Sequence, residues 1–278
     1  MSCDVTVVVP VYNSSHTLKR ALVSVFRQSL LPREIIVVDD GSDDWEESRR
    51  IAASHPDSIA IRFIHLDKNH GPSTARNMAI SSAYGHYLAF LDSDDAWHRD
   101  KLAIQYELMT SRALDFSMHQ YCADINDLPG DGENSSGASS LSLSPLSPWT
   151  PLLRNDSTNS VMVLKRQMVL YDAELRRGED FKCYMELLSK RGRNCRGLYI
   201  RRVLAGGFKP STIGVSGLSG DVKAMHAGRM LALKKLIRNG TIGMTQYLFG
   251  ISTETVKYPV RVLLVSLRKR AARSRGVH

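Results

Sequence analysis

The sequence predicts an α/β fold of the Rossmann-like kind, in which helices flank a mostly parallel central sheet. The main observation is that short apolar segments alternate with amphipathic helical segments along the first part of the chain, an order typical of parallel sheets covered by helices. In addition, acidic residues follow two of these apolar segments, at the position where open parallel sheets bind their ligands. With 278 residues and 43% hydrophobic residues, the chain is long enough to bury a large core.

The alternation of strand and helix begins near residue 5 and continues to residue 111. The predicted strands carry Val, Ile and aromatic residues, which fit a buried sheet, and cover 5–9, 34–38, 59–66 and 87–91. The predicted helices place apolar residues three and four positions apart and cover 15–28, 43–54, 72–84 and 100–111. We therefore expect a nucleotide-binding architecture in this part of the chain.

The second part of the chain is less regular. Residues 124–151 are rich in Ser, Gly and Pro and poor in large apolar residues, so we predict a flexible loop there. A strand over 160–165, a helix over 180–190 and a strand over 198–205 follow, and residues 206–220 are again rich in Gly and Ser. We expect one domain over 1–220 and a basic, helical C-terminal extension over 221–278.

The net charge of +9 belongs mainly to the end of the chain. Seven Lys and Arg residues follow Glu254 without any acidic residue, which leaves only +2 for the rest. Because a nucleic-acid-binding domain carries a basic patch of its own, we expect no nucleic-acid partner.

The four cysteines lack CxxC spacing, which argues against a zinc site or a disulfide framework. We see no secretion signal and no apolar run of the ~20 residues that a membrane span needs, so we expect a cytoplasmic protein.

The segment LDSDD, residues 91–95, directly follows a predicted strand. Asp92 and Asp94 are separated by one residue, so both carboxylates can reach the same side of an extended turn. Carboxylate oxygens are the ligands that Mg²⁺ and Mn²⁺ prefer, and these ions keep positions open for phosphate groups. We therefore predict a divalent metal site at Asp92 and Asp94. The alternative is a solvated acidic turn that caps the next helix.

Two further segments, VVVPVYN at 7–13 and VVDDGSDD at 37–44, each lead from a strand towards a helix. A carboxylate after a strand, such as Asp39 or Asp40, can accept a hydrogen bond from a nucleotide base or a ribose hydroxyl, and Gly41 permits a tight turn. The alternative is that these residues only end strands and cap helices.

Together with GPSTARNMAI at 71–80 and GED at 178–180, these segments occur in an order and at spacings that resemble glycosyltransferase family 2, which has the GT-A fold. The resemblance covers roughly residues 4–190. It implies an inverting enzyme that moves a sugar from a nucleotide diphosphate donor, such as a UDP-sugar, to a hydroxyl of a glycan or lipid-linked acceptor. It also implies a Mn²⁺ or Mg²⁺ cofactor and a role in cell-surface polysaccharide synthesis. The QxxRW sequence of related processive polymerases is absent, so we expect transfer of single sugars.

The resemblance assigns roles to individual residues as well. Asp180 corresponds to the general base that accepts the proton of the acceptor hydroxyl, and Asp94 and Asp92 correspond to the metal site. The residues expected at the donor nucleotide are Pro10, Tyr12, Asn13, Asp39, Asp40, Arg76, Asp92, Ser93 and Lys209. Lys209 is chosen by position and charge, in a segment that departs from the family pattern. The alternative role of Glu179 and Asp180 is as favourable charges in the first turn of a helix, worth ~0.5 kcal/mol.

The segment 256–273 joins a short apolar run to a cluster of Lys and Arg. A helix of this composition can lie on an anionic membrane surface, so we predict peripheral attachment to the inner face of the cell membrane; packing on the domain is the alternative.

Two other functions compete with sugar transfer. A sugar nucleotidyltransferase usually carries a Gly-rich basic loop after its first strand, whereas this turn reads PVYNSSHT. An inactive scaffold of the same fold is the second alternative. The presence of Asp40, Asp92, Asp94 and Asp180 favours an active transferase over that scaffold.

Overall fold

The computed structural model describes residues 2–54, 59–130, 141–154, 157–189, 195–208 and 221–274, with the backbone alone for 268–274. Its strands are β1 (Ser2–Val11), β2 (Leu31–Asp39), β3 (Ala60–His65), β4 (Tyr87–Phe90), β5 (Asp95–Trp97), β6 (Phe116–Cys122), β7 (Leu143–Pro145), β8 (Met162–Leu164) and β9 (Gly197–Gly207). Its α-helices are α1 (Ser15–Phe26), α2 (Trp45–Ala53), α3 (Pro72–Ser82), α4 (Lys101–Ser111), α5 (Thr150–Leu153), α6 (Glu179–Ser189), α7 (Val222–Arg238) and α8 (Met244–Ser274).

The described strands form a single sheet in the order β3-β2-β1-β4-β8-β6-β9-β5, with β7 paired to β9. The first four strands in this order are parallel. Beyond them, β8 runs antiparallel to both β4 and β6, β6 and β9 are parallel, and β5 and β7 are antiparallel to β9. The predicted α/β architecture is therefore confirmed, with its parallel part concentrated in the first half of the chain.

The strand β1 separates the two layers of the core. Val5, Val7 and Val9 belong to a cluster with apolar residues of α1 and α4, whereas Val8 packs with residues of α3 and α6 on the other face. This alternation follows from the pleat of the strand. Because helices cover both faces, the strand is an unbroken apolar run, and full burial of each valine contributes about 1.5–3 kcal/mol.

The elements predicted up to residue 111 agree with the structure apart from a few residues at their ends, and the strand, helix and strand predicted at 160–165, 180–190 and 198–205 correspond to β8, α6 and β9. The short strand β5 and the strand β6 were missed. β5 and β6 contain buried polar residues, including Asp95, Ser117 and His119, which hide the strand pattern. Within the segment predicted as a flexible loop, Leu143–Pro145 pairs with β9 and Thr150–Leu153 is helical. The sheet edge supplies the hydrogen bonds of β7, and Lys257 of α8 donates to carbonyl oxygens of α5. The middle of that segment, 131–140, lies outside the described residues.

The two C-terminal helices pack on α5 and α6 through a separate apolar cluster, composed of Leu152, Leu175, Phe181, Met185, Ala232, Leu233, Leu236 and Ile242. The buried carboxylate of Glu254 joins α8 to α7, because it forms ion pairs with Arg229 at 2.9 Å and Arg261 at 3.1 Å. The helical character predicted after residue 221 is confirmed, and α7 and the start of α8 are bound to the rest of the fold. Within the described part of the chain, no helix is long and apolar enough to cross a bilayer.

Candidate active site

The loops after β1 and β2 lie side by side at the carboxyl end of the parallel strands. Asn13, whose backbone is left-handed (φ 46°), donates its N–H to Ser42 Oγ at 2.9 Å. Its side-chain Oδ1 accepts a hydrogen bond from the backbone N–H of Asp43 at 2.9 Å. The N–H of Ser15 donates to Asp44 Oδ2, also at 2.9 Å. These bonds join the starts of α1 and α2 into one edge.

The carboxylates of Asp39 and Asp40 are buried and bind neighbouring groups of the protein. Asp39 Oδ1 accepts hydrogen bonds from Ser42 N at 3.0 Å and from His65 Nδ1 at 2.9 Å. Asp40 accepts from His70 N at 2.8 Å and from Gly71 N at 2.7 Å. Asp40 therefore fixes the start of α3, the helix that carries Arg76.

The surface beside these carboxylates is formed by the end of β1 and the turn after β2. Tyr12 is half exposed there, and Pro10, one residue before the end of β1, is partly buried. Gly41 has a φ of 71°, and a Cβ at this position would lie 2.3 Å from the carbonyl carbon of Lys68. Only glycine fits this turn, so the loop after β2 lies close against the segment that leads to α3.

The acidic loop after β4 contacts both the first loop and a residue that the sequence did not indicate. Ser93 Oγ lies 2.8 Å from Ser14 Oγ, which joins the acidic loop to the start of α1. Asn159 is fully buried; its Oδ1 accepts from the N–H of Asp92 at 2.5 Å, and its Nδ2 donates to Asp92 Oδ2 at 3.2 Å and to Asp95 Oδ2. Asn159 thus holds two carboxylates of the acidic loop in place.

Arg76 connects the acidic loop to the start of α6. Its NH2 donates to Asp92 Oδ1 at 2.9 Å, and its NH1 lies 3.4 Å from Glu179 Oε1. Burial disfavours the charged guanidinium, but the negative charges around it, chiefly that of Asp92, outweigh this effect and raise the pKa of Arg76. The arginine is therefore a permanent cation between two acidic segments that lie 87 positions apart in sequence, as counted from residues 92 and 179.

The start of α6 presents two adjacent carboxylates. Burial and the charge of Asp180 raise the pKa of Glu179. Asp180 is partly exposed and lines a narrow cavity together with Arg154 and Arg229. The turn before the helix is closely packed, because Gly178 has a φ of 74° and a Cβ there would lie 3.2 Å from the backbone of α7. The contact with α7 thus fixes the position of the Glu179–Asp180 pair.

The two predicted metal ligands, Asp92 and Asp94, are both partly exposed. Over the described residues, no group of three or more His, Cys, Asp and Glu side chains is arranged to hold a metal by itself. Both oxygens of Asp92 accept hydrogen bonds from Arg76 and Asn159. The two carboxylates are the kind of donor that Mn²⁺ or Mg²⁺ takes, and such an ion would need further ligands, for example from a diphosphate. A metal ion at Asp92 and Asp94 therefore stays a prediction.

The structure brings the predicted site residues that it describes to one end of the sheet. Lys209 lies outside the described residues. Sequence reasoning missed Asn159 and the contact of Glu179 with Arg76. The sequence gives only a weak indication for Asn159, which lies just before an apolar strand in the segment STNSVMVL.

Comparison with known proteins supports an enzymatic reading of this site. The profile of Glycosyl transferase family 2 matches residues 6–142. The putative colanic acid biosynthesis glycosyl transferase WcaA of Escherichia coli (strain K12) is 31% identical over 197 residues, which are 68% of this chain and 67% of that protein. The chain spans only 19% of the length of an uncharacterized glycosyltransferase of Rickettsia felis, to which it is 42% identical over 118 residues.

Two solved structures share the fold. S. aureus TarS 1-349 in complex with UDP superposes with a TM-score of 0.64 at 17% identity, covering 85% of this chain and 66% of that one. The mannosyltransferase PcManGT of Pyrobaculum calidifontis, in complex with GDP-Man and Mn2+, gives a TM-score of 0.62 at 18% identity, covering 99% of this chain and 76% of that one. With the matching order of loops at the carboxyl end of the sheet and the similarity to WcaA, the chain belongs to glycosyltransferase family 2.

Proposed function

We propose that this protein is an inverting, metal-dependent glycosyltransferase that moves one sugar at a time from a UDP-sugar to a hydroxyl of a glycan or lipid-linked acceptor in polysaccharide synthesis. The observation that carries the proposal is the position of Arg76 between Asp92 and Glu179. It brings the acidic loop, where a donor diphosphate would bind, next to the turn that presents Asp180. A relative named for colanic acid biosynthesis supports the polysaccharide context.

The donor nucleotide binds at the edge formed by the first two loops. Tyr12 and Asn13 are exposed there and, with Pro10, form the wall against which the base lies. Asp39 and Asp40 hold the shape of this wall through their bonds to backbone N–H groups. Ser93 places the acidic loop against it through Ser14. The UDP bound to TarS, a protein of the same fold, supports uridine as the base.

A Mn²⁺ or Mg²⁺ ion would be held by Asp94, with Asp92 beside it, and would supply positive charge to the departing diphosphate. Arg76 stays charged and fixes the orientation of Asp92. The Mn2+ in PcManGT supports this cofactor.

The transfer itself needs one base. The acceptor oxygen attacks the anomeric carbon from the side opposite the diphosphate, the bond from that carbon to the phosphate oxygen breaks, and UDP leaves with the bonding electrons. The proton of the acceptor hydroxyl passes to the carboxylate of Asp180, the partly exposed member of the Glu179–Asp180 pair. A single displacement of this kind inverts the anomeric centre.

Attachment to the inner face of the membrane fits the surface of α8. Phe249, Val256, Val260, Leu263 and Leu267 are spaced seven, four, three and four residues apart, so they lie on one face of the helix. All of them are exposed, by between 38% and 67%. The sequence RKRAAR at 268–273 follows this stripe. An apolar stripe next to a basic cluster suits an anionic lipid surface.

The experiment that tests the proposal compares the wild-type protein with Asp180→Asn. The proteins are incubated with Mn²⁺, a panel of UDP-sugars and a membrane lipid extract, and released UDP and the product anomer are measured. Asp180→Asn should lower turnover by about 10²–10⁴-fold with the Michaelis constant for the donor unchanged, and Glu174→Gln, whose side chain is 83% exposed, should behave as wild type. Full turnover in Asp180→Asn, or a product with a retained anomeric centre, would contradict the proposal.

A further inference from the structure

A second buried arginine, Arg229 of α7, lies beside the Glu179–Asp180 pair. It is 4% exposed and comes from the C-terminal helices, outside the segment 6–142 that the family profile matches. Arginine is almost never fully buried unless its charge is paired. The contacts of Arg229 therefore indicate what its charge does at this position.

The backbone of α7 closely approaches the turn before α6. A Cβ at Gly228 would lie 2.5 Å from the Cβ and the carbonyl oxygen of Arg177. A Cβ at Gly178 would lie 3.2 Å from the backbone nitrogen of Arg229. Because a side chain at Gly228 would force the two segments apart, glycine is needed for this contact. The main chain of Arg229 therefore lies directly against the turn that presents Asp180.

The side chain of Arg229 is held by three different elements. Its guanidinium carbon lies 4.0 Å from the centroid of the Phe181 ring, in the first turn of α6. Its NH2 donates a hydrogen bond to the carbonyl oxygen of Pro151 in α5 at 3.1 Å. Its Nε forms an ion pair with Glu254 Oε1 of α8 at 2.9 Å. Since each of these contacts restrains the planar guanidinium, the positive charge is fixed next to the residue that follows Asp180.

Arg229 and Asp180 line the same narrow cavity. The volume of this cavity is about 10 Å³, which is room for a single water and not for a sugar. Residues on this side of Asp180 therefore act on its carboxylate through contact, through charge or through one bridging water. The two charges do influence each other: burial lowers the pKa of Arg229, and the negative charges of Glu254 and Asp180 oppose that shift.

The two carboxylates at the start of α6 thus lie between two buried arginines. Arg76 of α3 contacts Glu179, and Arg229 of α7 lies beside Asp180. In the proposed reaction, Asp180 loses its negative charge when it takes the proton of the acceptor hydroxyl. The buried carboxylate of Glu254 keeps Arg229 paired at that stage, so the arginine stays in place throughout the transfer.

We propose that Arg229 is a positioning residue for sugar transfer: it reaches from the C-terminal helices to the turn that presents Asp180, fixes that turn, and keeps a positive charge beside the carboxylate. The inference rests on the proposed function, because it concerns the residue that acts behind the base. It makes α7 part of the catalytic site, and Glu254 of α8 supports it by holding Arg229.

The test is a double-mutant cycle on the full chain, with Arg229→Met, Asp180→Asn and the variant that carries both changes. Turnover is measured as UDP released in Mn²⁺ from the UDP-sugar that wild type uses fastest, with the membrane lipid extract as the source of acceptor. We expect Arg229→Met to lower turnover by about 10–100-fold with the Michaelis constant for the donor unchanged. It should have no further effect in Asp180→Asn, since the carboxylate that it positions is then absent. Arg238→Met, at an exposed arginine of the same helix, is the matched control and should behave as wild type.

A second variant separates this role from stability. Arg229→Met alone removes an arginine that is paired with the buried Glu254, whereas Arg229→Met combined with Glu254→Gln removes both charges of the pair. We expect the combined variant to unfold at about the same urea concentration as wild type and to bind UDP in Mn²⁺ with the same affinity. It should nevertheless keep the loss of turnover.

Contrary results would overturn the inference in different ways. If the losses of turnover in Arg229→Met and Asp180→Asn multiply in the double variant, Arg229 does not act through Asp180. If turnover recovers when Glu254→Gln is added to Arg229→Met, Arg229 only neutralises Glu254. If Arg229→Met loses UDP affinity as strongly as turnover, the arginine supports the fold as a whole. Full turnover in Asp180→Asn would instead contradict the proposed function, because Asp180 would not be the base.

Discussion

The sheet carries a buried cluster of arginine and carboxylate at each end, and the two clusters are built differently. At the amino end of the parallel strands, Glu34 accepts hydrogen bonds from Thr6 Oγ1 at 2.7 Å, Tyr84 N at 2.6 Å and Arg62 NH2 at 2.7 Å. Both oxygens of this carboxylate are matched by donors. Burial opposes ionisation of Glu34, but the hydrogen bonds outweigh it and lower the pKa of Glu34.

At the carboxyl end, one arginine faces two carboxylates. Arg76 contacts Asp92 and Glu179, and Asp180 adds a further negative charge beside Glu179. Burial and that charge raise the pKa of Glu179, the opposite of the shift at Glu34. The amino-end cluster therefore has its charges matched within the fold, whereas the carboxyl-end cluster holds negative charge that a bound cation would offset. Such shifts are typical of functional sites.

The largest expected effect comes from removing the arginine at each end. Arg76→Ala leaves the buried Glu179 and the partly exposed Asp92 without their cation, so we expect a loss of about 3 kcal/mol in the free energy of unfolding and at least about tenfold weaker UDP binding in Mn²⁺. Arg62→Ala is the matched control, and a third of its side chain is exposed. It should cost about 1–2 kcal/mol and leave UDP affinity unchanged. Denaturant unfolding measures the loss of stability, and calorimetry measures the UDP affinity. Equal UDP affinities in the two variants would contradict the predicted difference between the two clusters.

An intermediate effect is expected at Asn159, which holds Asp92 and Asp95. Asn159→Ala leaves buried polar groups without partners, so we expect a loss of about 1–3 kcal/mol in unfolding free energy and about tenfold weaker UDP binding. Asn77→Ala is the control, because Asn77 also forms two amide hydrogen bonds, to the backbone of Tyr171, but contacts no carboxylate of the acidic loop. Loss of stability without loss of UDP affinity in Asn159→Ala would assign this residue to the fold alone.

The smallest effect is a difference in pH dependence between the two ends. The pKa of Glu34 is lowered from 4.5, so the stability it contributes is present above pH 4.5 and is lost as the pH falls through its folded value. The pKa of Glu179 is raised from 4.5, so its contribution is present below pH 4.5 and is lost as the pH rises. Relative to wild type, Glu34→Gln should therefore become less destabilised in acid, and Glu179→Gln less destabilised towards neutral pH. Urea unfolding at a series of pH values measures the free energy of unfolding that each variant loses relative to wild type. A loss that changes with pH in the same direction in both variants would contradict this prediction.

The parallel half of the sheet could be predicted from the sequence because both of its faces are covered, which gives β1 and β2 long runs of Val and Ile. In the second half, β8 and β9 were predicted from their apolar residues, whereas β5 and β6 were not, because these two strands bury polar side chains that are paired in the fold. Tyr121, for example, donates to Asp95 at 3.0 Å, a contact between elements that no local pattern encodes.

The site residues also fall into a part that the sequence predicts and a part that it does not. The loops at 10–13, 39–44 and 92–95 come directly after strands, so their meeting at one edge follows from parallel pairing. Asn159 and the contact of Glu179 with Arg76 join segments more than 60 positions apart, and only the folded chain brings them together.

We propose that the acidic carboxyl end of the sheet binds a nucleotide diphosphate together with a metal ion. The decisive experiment is a calorimetric titration with UDP, in the presence and absence of Mn²⁺, on wild type, Asp94→Ala and the exposed control Glu174→Ala. We expect UDP to bind wild type and Glu174→Ala only with Mn²⁺, and this binding to be lost in Asp94→Ala. UDP binding that needs no metal, or that survives in Asp94→Ala, would contradict the account.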